Sequence, residues 1–579
     1  MRPKSIQAMT TPSLELTPVR RFLPTRLDVN DWSAVEPFFT DLLERPIDTA
    51  GQLEAWLRDR SELEAFLQEE LGWRYIRMSC DTANKELADA FNFFVGEIQP
   101  RIAPLSHRLD QYLLGSPALG SLNRPEHSIL LRQISKRVEI FREENVPLMA
   151  ELQQKEQEYS VITGAMTIEH DGKELTLQQA SNYLEQDNRE LRELVYRKTS
   201  SRRLEDKQKL DALMDDLMVR RSEIARNAGF SDYRDYMFAA MGRFDYTPAD
   251  CFAFHTAIEK HLVPLNDAVE DLHRKELGLD TLRPWDTAAV VPGQQPLRPY
   301  SSATELMQKT IDCFAEIHPR LGECMVQMRD AGRLDLDSRK GKAPGGYNYP
   351  LYETGLPFIF MNSTNTLRDL VTMVHEGGHA VQSIVDQPLD LVDYKNLPSE
   401  VAELASMSME LISMEHWHHF FSSRKDLRRA RRKHLEDVLK GLPWIACVDA
   451  FQQQLYTQNG ADRDALWLDC FTRFSGKKIE WNGLDDVRKN LWQKQLHIYE
   501  VPFYYIEYGF AQLGAIAVWR NYRQNPGACI DHYLRALSLG YTASIGEVYQ
   551  AAGIRFDFSE EYVRELMDFV RKEWELTLS

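Results

Sequence analysis

The sequence predicts a mainly α-helical fold with only a small amount of β-sheet, and three observations predict it. Apolar residues recur every three or four positions over long stretches, strand-like alternation is confined to a few short segments, and no fixed-period repeat runs through the 579 residues. The helical period is clear in DWSAVEPFFTDLLERP and AGQLEAWLRDRSELEAFLQEEL. It continues through residues 177–229, where interleaved opposite charges suggest a long solvated helix pair. SVITGAMTIEHDGKELTL alternates around Asp171-Gly172 and reads as a hairpin. GGYNYPLYETGLPFIFMN is rich in Gly, Pro and aromatics, and its PFIFMN end reads as one short strand. Residues 283–300 are Pro-rich and read as a loop. A boundary near residue 200 divides a helical N-terminal lobe, 1–200, from a segment, 201–579, that carries the chemistry.

Composition narrows the function. With 43% hydrophobic and 27% charged residues, the chain has the balance of a globular enzyme. A formal charge of -18 argues against nucleic-acid partners and against anionic membrane surfaces, because both need basic patches. Seven cysteines without a CxxC pair fit reduced thiols and a cytoplasmic location. The opening MRPKSIQAMTTPSLELTP lacks an apolar core, so no signal peptide is expected. Residues 501–519 are apolar but carry Pro502 and Glu507, and read as buried core or site lining, not a membrane span. The oligomeric state is left open.

The chemistry concentrates in LRDLVTMVHEGGHAVQSIV, where His375-Glu376-Gly377-Gly378-His379 forms HExxH. On a helix, positions i and i+4 share a face, so both imidazoles can reach one ion. Neutral imidazole suits Zn²⁺, at about 2.0–2.1 Å. Glu376 lies about 100° further round the helix. There it can face a water without being a ligand. A surface helix with two unrelated histidines is the plain alternative. Against it, Val371, Met373, Val374, Ala380 and Val381 are apolar, and burying two unpartnered imidazoles is costly. The Gly pair also costs about 1 kcal/mol per residue inside a helix relative to Ala. A third ligand is expected in the helical run after Pro398, where Glu400, Glu403 and Glu410 are candidates. Spacing alone does not separate Glu400 from Glu403. His416, His418 and His419 follow and read as a surface cluster.

With these residues in view, the sequence resembles the thimet oligopeptidase and oligoendopeptidase F family of zinc metallopeptidases, Pz-peptidase type. The resemblance rests on HExxH and on an E-x-x-S-x-x-x-E pattern running from Glu403 to Glu410. Leu277–Asp286, residues 339–362 and HIYEVPFYYIEYGFAQLGA from His497 add to it. It implies one Zn²⁺ held by His375, His379 and Glu403, with Glu410 orienting a ligand imidazole. It also implies Glu376 as the catalytic base, and His497, Tyr505 and Tyr508 as donors to an oxyanion from a mobile loop. Phe503 and Tyr504 in the same stretch read as packing. Gly345, Gly346 and Tyr347 would bind substrate, the strand they open offering its edge to an extended peptide. The implied fold is a two-lobed helical metallopeptidase with a deep substrate channel and a small β-sheet near the HExxH helix. The implied activity is cleavage of internal bonds in short unfolded peptides. Two alternatives stand beside it: a zinc carboxypeptidase of similar helical fold, which needs a cationic group for the terminal carboxylate, and a non-catalytic, metal-stabilised peptide-binding protein. The second has no use for Glu376.

Overall fold

The computed structural model describes residues 20–578 apart from 340, 344 and 459. The opening stretch read for a signal peptide, and two positions of the 339–362 segment, lie outside the described residues. Helices dominate, and among the described residues there are five strands. The hairpin forms where alternation predicted it: β1 (Thr167–His170) pairs antiparallel with β2 (Lys173–Thr176). Asp171 and Gly172 both adopt positive φ, 51° and 70°, as a two-residue turn between right-twisted strands requires. The second sheet has the order β3-β5-β4, from β3 (Leu334–Asp337), β4 (Tyr347–Tyr349) and β5 (Phe358–Ser363). β3 runs parallel to β5 and β4 antiparallel to it.

Two compact units partition the chain, each built from three segments. The first unites residues 1–135, 298–427 and 517–555, and the second 136–297, 428–516 and 556–579. Each unit therefore draws on both sides of residue 200.

Within the first unit, the helix α1 (Ala50–Cys80) starts at a Thr49–Gln52 capping box and covers one face of the three-stranded sheet. Ile76, Leu351, Phe358 and Phe360 form that buried layer, with Trp73, Tyr347 and Tyr349 packed on it. Gly72 allows the approach, since a Cβ there would sit 2.6 Å from Tyr349. The helices α2 (Ala303–Ile317), α3 (Pro319–Asp330), α4 (Leu367–Val385) and α5 (Ser399–Ser413) pack around one another, and α4 also lies against β4 and β5. α4 carries HExxH. A Thr366–Asp369 capping box starts it, and Asp369 additionally accepts hydrogen bonds from Tyr300 Oη and the Thr364 amide, both at 2.8 Å.

In the second unit the charged stretch 189–227 forms two helices that break at Asp206, with Leu210, Leu213, Met214 and Leu217 buried. The pair is thus packed along one side rather than wholly solvated. Asp286, from the segment 277–286, is fully buried between Arg189 and Arg192, 2.7 and 2.8 Å away. Of the 501–519 stretch read as buried core or site lining, Phe503, Ile506 and Phe510 are fully buried in this unit, while Val501 is exposed. No helix is long and apolar enough to cross a membrane among the described residues. All seven cysteines are free.

Candidate metal centre

Three side chains from two helices of the first unit converge. His375 Nε2 and His379 Nε2 lie 3.4 and 3.7 Å from the same oxygen of Glu403, Oε2. All three donor atoms fall within 4.8 Å of one another. The i, i+4 spacing on α4 supplies the two imidazoles, whose ring centroids are 4.9 Å apart. α5 supplies the carboxylate. Glu400 is also buried, at 2% exposure, but it is not part of this group, so the choice that spacing left open falls on Glu403.

The donor set, two imidazole nitrogens and one carboxylate oxygen, is one that Zn²⁺ takes. The outer partners strengthen the fit. Glu410 Oε1 lies 2.6 Å from His375 Nδ1, which fixes the proton on that nitrogen and turns the Nε2 lone pair toward Glu403. Ser406 Oγ donates to Glu403 Oε2 at 3.0 Å and holds the carboxylate rotamer.

Electrostatics follow from burial and proximity. Burial by itself would lower the His375 pKa, but the Glu410 hydrogen bond and the charges of Glu403 and Glu410 raise it to about 10. His379 goes the other way, well below the ordinary value, through burial and then the charge on His375. Glu376 is 6% exposed, and burial pushes its pKa to about 7, with Glu403 adding and His375 subtracting. Asn348, at the centre of β4, reaches α4 through Nδ2, 3.4 Å from the Glu376 carbonyl oxygen.

The adjacent glycines have a packing reason. A Cβ on Gly378 would sit 2.6 Å from Ser406 Cα and 2.9 Å from Ala405 O, and one on Gly377 would sit 2.9 Å from Phe314. The pair therefore lets α5 and α2 approach α4 closely enough for Glu403 to meet the histidines.

Of the expected substrate-binding residues, Gly345 takes φ 96° and Gly346 lies 3.3 Å, at an added Cβ, from Thr372. Tyr347 pairs with Phe360 across β4 and β5, and its ring stacks on the same residue at 4.8 Å. β4 is an edge strand of its sheet.

His497, Tyr505 and Tyr508 cluster within the second unit. His497 ring centroids lie 4.8 Å from Tyr505 and 5.8 Å from Tyr508. His497 sits on α6 (Leu496–Glu500), and both tyrosines on α7 (Tyr505–Gln524), so the stretch is largely helical. Trp444 Nε1 donates to Gln495 Oε1 at 2.9 Å, which directs the Gln495 amide nitrogen at His497 Nδ1, 2.7 Å away. An indole is only a donor, so this chain leaves the His497 proton on Nε2. Burial lowers the His497 pKa to about 4 and raises that of Tyr505 to about 12. Both are neutral donors near pH 7. Buried Arg221 bonds the Ile498 and Tyr499 carbonyls, and buried Arg243 pairs with Glu507 at 2.7 Å and also bonds the Phe503 carbonyl. Phe503, at φ 70°, is held there and fully buried, in keeping with a packing role. Sequence reasoning missed Ser406, Asn348, Gln495, Trp444, Arg221 and Arg243 as positioning groups. Only Ser406 carried a signal, as the serine of E-x-x-S.

Known proteins resemble this chain in sequence and in fold. The sequence pattern of Peptidase family M3 matches residues 182–568, and that of the Peptidase M3 N-terminal domain matches 22–141. Oligopeptidase PepF of Bacillus subtilis is 25% identical over 304 residues, 51% of this chain and 44% of its own. The chromosomal oligoendopeptidase F of Lactococcus lactis is 25% identical over 325 residues, 54% and 52% of the two chains. The chain thus spans about half the length of the curated relatives it matches. Pz peptidase A, solved with an inhibitor, superposes with a TM-score of 0.89 at 25% identity, over 95% of this chain and 98% of that one.

Proposed function

The chain belongs to peptidase family M3, and from that premise we propose that it is a zinc-dependent metalloendopeptidase hydrolysing internal bonds of short unfolded peptides. The reading rests on one observation: two imidazole nitrogens and a carboxylate oxygen share one small volume, with a buried, non-ligating Glu376 on the same helix. His375, His379 and Glu403 would hold the ion. Bound there, Zn²⁺ supplies Lewis acidity, polarising a carbonyl and making a water a better nucleophile near neutral pH.

The chain's own residues do the rest. Glu376 accepts the proton of the attacking water and delivers it to the leaving amine. Burial favours this exchange, because a carboxyl titrating near neutrality can both take and give a proton. Glu410 and Ser406 keep the His375 and Glu403 donor atoms aimed. His497, Tyr505 and Tyr508 are assigned hydrogen bonds to the oxyanion of the tetrahedral adduct. The β4 edge, opened by Gly345, Gly346 and Tyr347, is assigned to backbone pairing with substrate, which gives affinity with little side-chain preference. Residues 201–579 carry these groups. The free cysteines support a cytoplasmic location.

Glu376→Gln tests the mechanism. The variant should bind as much zinc as the wild type and cleave a quenched internal peptide at least about 100-fold more slowly. Mass spectrometry of the wild-type products should show internal cuts. Single-residue losses from the C-terminus would favour a carboxypeptidase, and full activity in the variant would remove the base.

A further inference from the structure

A second histidine cluster lies outside the site described above. His416, His418 and His419 sit in a 3-10 turn, Met414–His419, that follows α5. In such a turn residues i and i+3 eclipse, so His416 and His419 share an edge and His418 flanks it. The turn brings all three to one carboxylate, Glu316, near the C-terminal end of α2. Glu316 Oε2 lies 3.0 Å from His418 Nε2 and 2.6 Å from His419 Nε2, and Oε1 lies 3.3 Å from His416 Nδ1. The donor atoms of Glu316, His418 and His419 fall within 4.8 Å of one another.

The arrangement is braced. Trp417 points the opposite way, fully buried, with Nε1 donating to Ser413 Oγ at 3.2 Å. Glu415 is held by Trp519 Nε1 and Arg523, at 3.2 and 3.1 Å. Tyr522 Oη is 2.8 Å from His416 Nε2, which turns Nδ1 toward Glu316. An outer hydrogen bond that aims an imidazole is how ligand histidines are oriented.

We propose that Glu316, His418 and His419, with His416 as a fourth donor, bind a second divalent transition-metal ion. Two or three imidazoles with one carboxylate suit Zn²⁺ above Mg²⁺ or Ca²⁺, which prefer all-oxygen shells. A tetrahedral zinc shell needs donors about 3.3 Å apart, close to the spacings found here. Such an ion would replace the direct Glu316–imidazole hydrogen bonds and clamp the end of α2 to the turn after α5. The site is independent of the catalytic assignment.

The test is metal stoichiometry on the untagged full-length chain, stripped with chelator, dialysed against Zn²⁺ and analysed by plasma mass spectrometry. Glu316→Ala/His418→Ala/His419→Ala should bind one equivalent fewer than the wild type and keep its peptide hydrolysis, which also reports that it folds. His375→Ala/His379→Ala should keep the equivalent that the triple variant loses. Equal zinc in the triple variant and the wild type would overturn the proposal, whatever the catalytic centre holds.

Discussion

Gly378 shows how a single missing Cβ governs the metal centre. An Ala side chain there meets the backbone of Ser406 at 2.6 Å, and a backbone cannot rotate away as a side chain can. Gly378→Ala should push α5 off α4, lowering stability by about 1–3 kcal/mol in denaturant unfolding and weakening zinc binding with it. An unchanged midpoint would mean that the two helices are not limited by this contact. Glu410 acts one bond further out. Glu410→Ala leaves all three donors in place but frees the His375 ring and its tautomer. Zinc affinity, read by competition with a chromogenic chelator, should fall about 10–100-fold. Equal affinity would show that Glu410 does no orienting. The sequence named Glu410 through its spacing from Glu403, but a clash with a residue 28 positions away, as at Gly378, has no local signature.

The helix α4 is asymmetric in its ends. Its N-terminus is satisfied by the Thr366–Asp369 box, an anion at the positive end of the dipole. Its C-cap, Asp386, places a carboxyl group at the negative end and is 3% exposed. Burial drives its pKa to about 7, while the Gln382 amide, at 3.0 Å, and Lys395 pull it back; Tyr352 is raised by burial first and by the charge of Asp386 second. The unfolded carboxyl ionises near the ordinary aspartate value of 3.8. Between those two values the folded chain holds a proton that the unfolded chain has lost. Stability from this group is therefore full below about 4 and is lost as pH rises through about 7. Asp386→Asn keeps the hydrogen bond and removes the titration. Its stability relative to wild type should grow by about 1–3 kcal/mol from pH 4 to pH 8. Parallel curves for the two proteins would rule out a buried neutral Asp386. At this scale the sequence did well: the α4 helix, the β1–β2 hairpin and β5 formed where periodicity and turn residues indicated. The 501–504 turn was less legible, because buried Arg243, distant in sequence, holds it through the Phe503 carbonyl.

At the scale of the whole molecule, the metal centre rests on a core that does not depend on it. Leu370, Met373, Val374 and Val381 of α4 and Leu404 and Ile412 of α5 are at most 1% exposed. Small zinc domains unfold without metal because the ion replaces a core; here the core is large. Chelation should abolish peptide hydrolysis and leave far-UV circular dichroism unchanged, with activity returning on Zn²⁺ addition. Loss of helicity on chelation would show the ion to be structural. The two units each gather three chain segments, so long-range pairing, not contiguity, defines them.

What the sequence determined by itself is the helical class and the HExxH pair with an acidic residue beside it, since these follow from spacing within one helix. The family resemblance pointed to Glu403 over Glu400, and the tertiary structure brings its carboxylate beside the two imidazoles; tertiary structure alone shows why two glycines fit inside a core helix and that three histidines after α5 face Glu316. The physical reason is range: periodicity fixes which residues share a face, whereas the packing of separate helices fixes which faces meet.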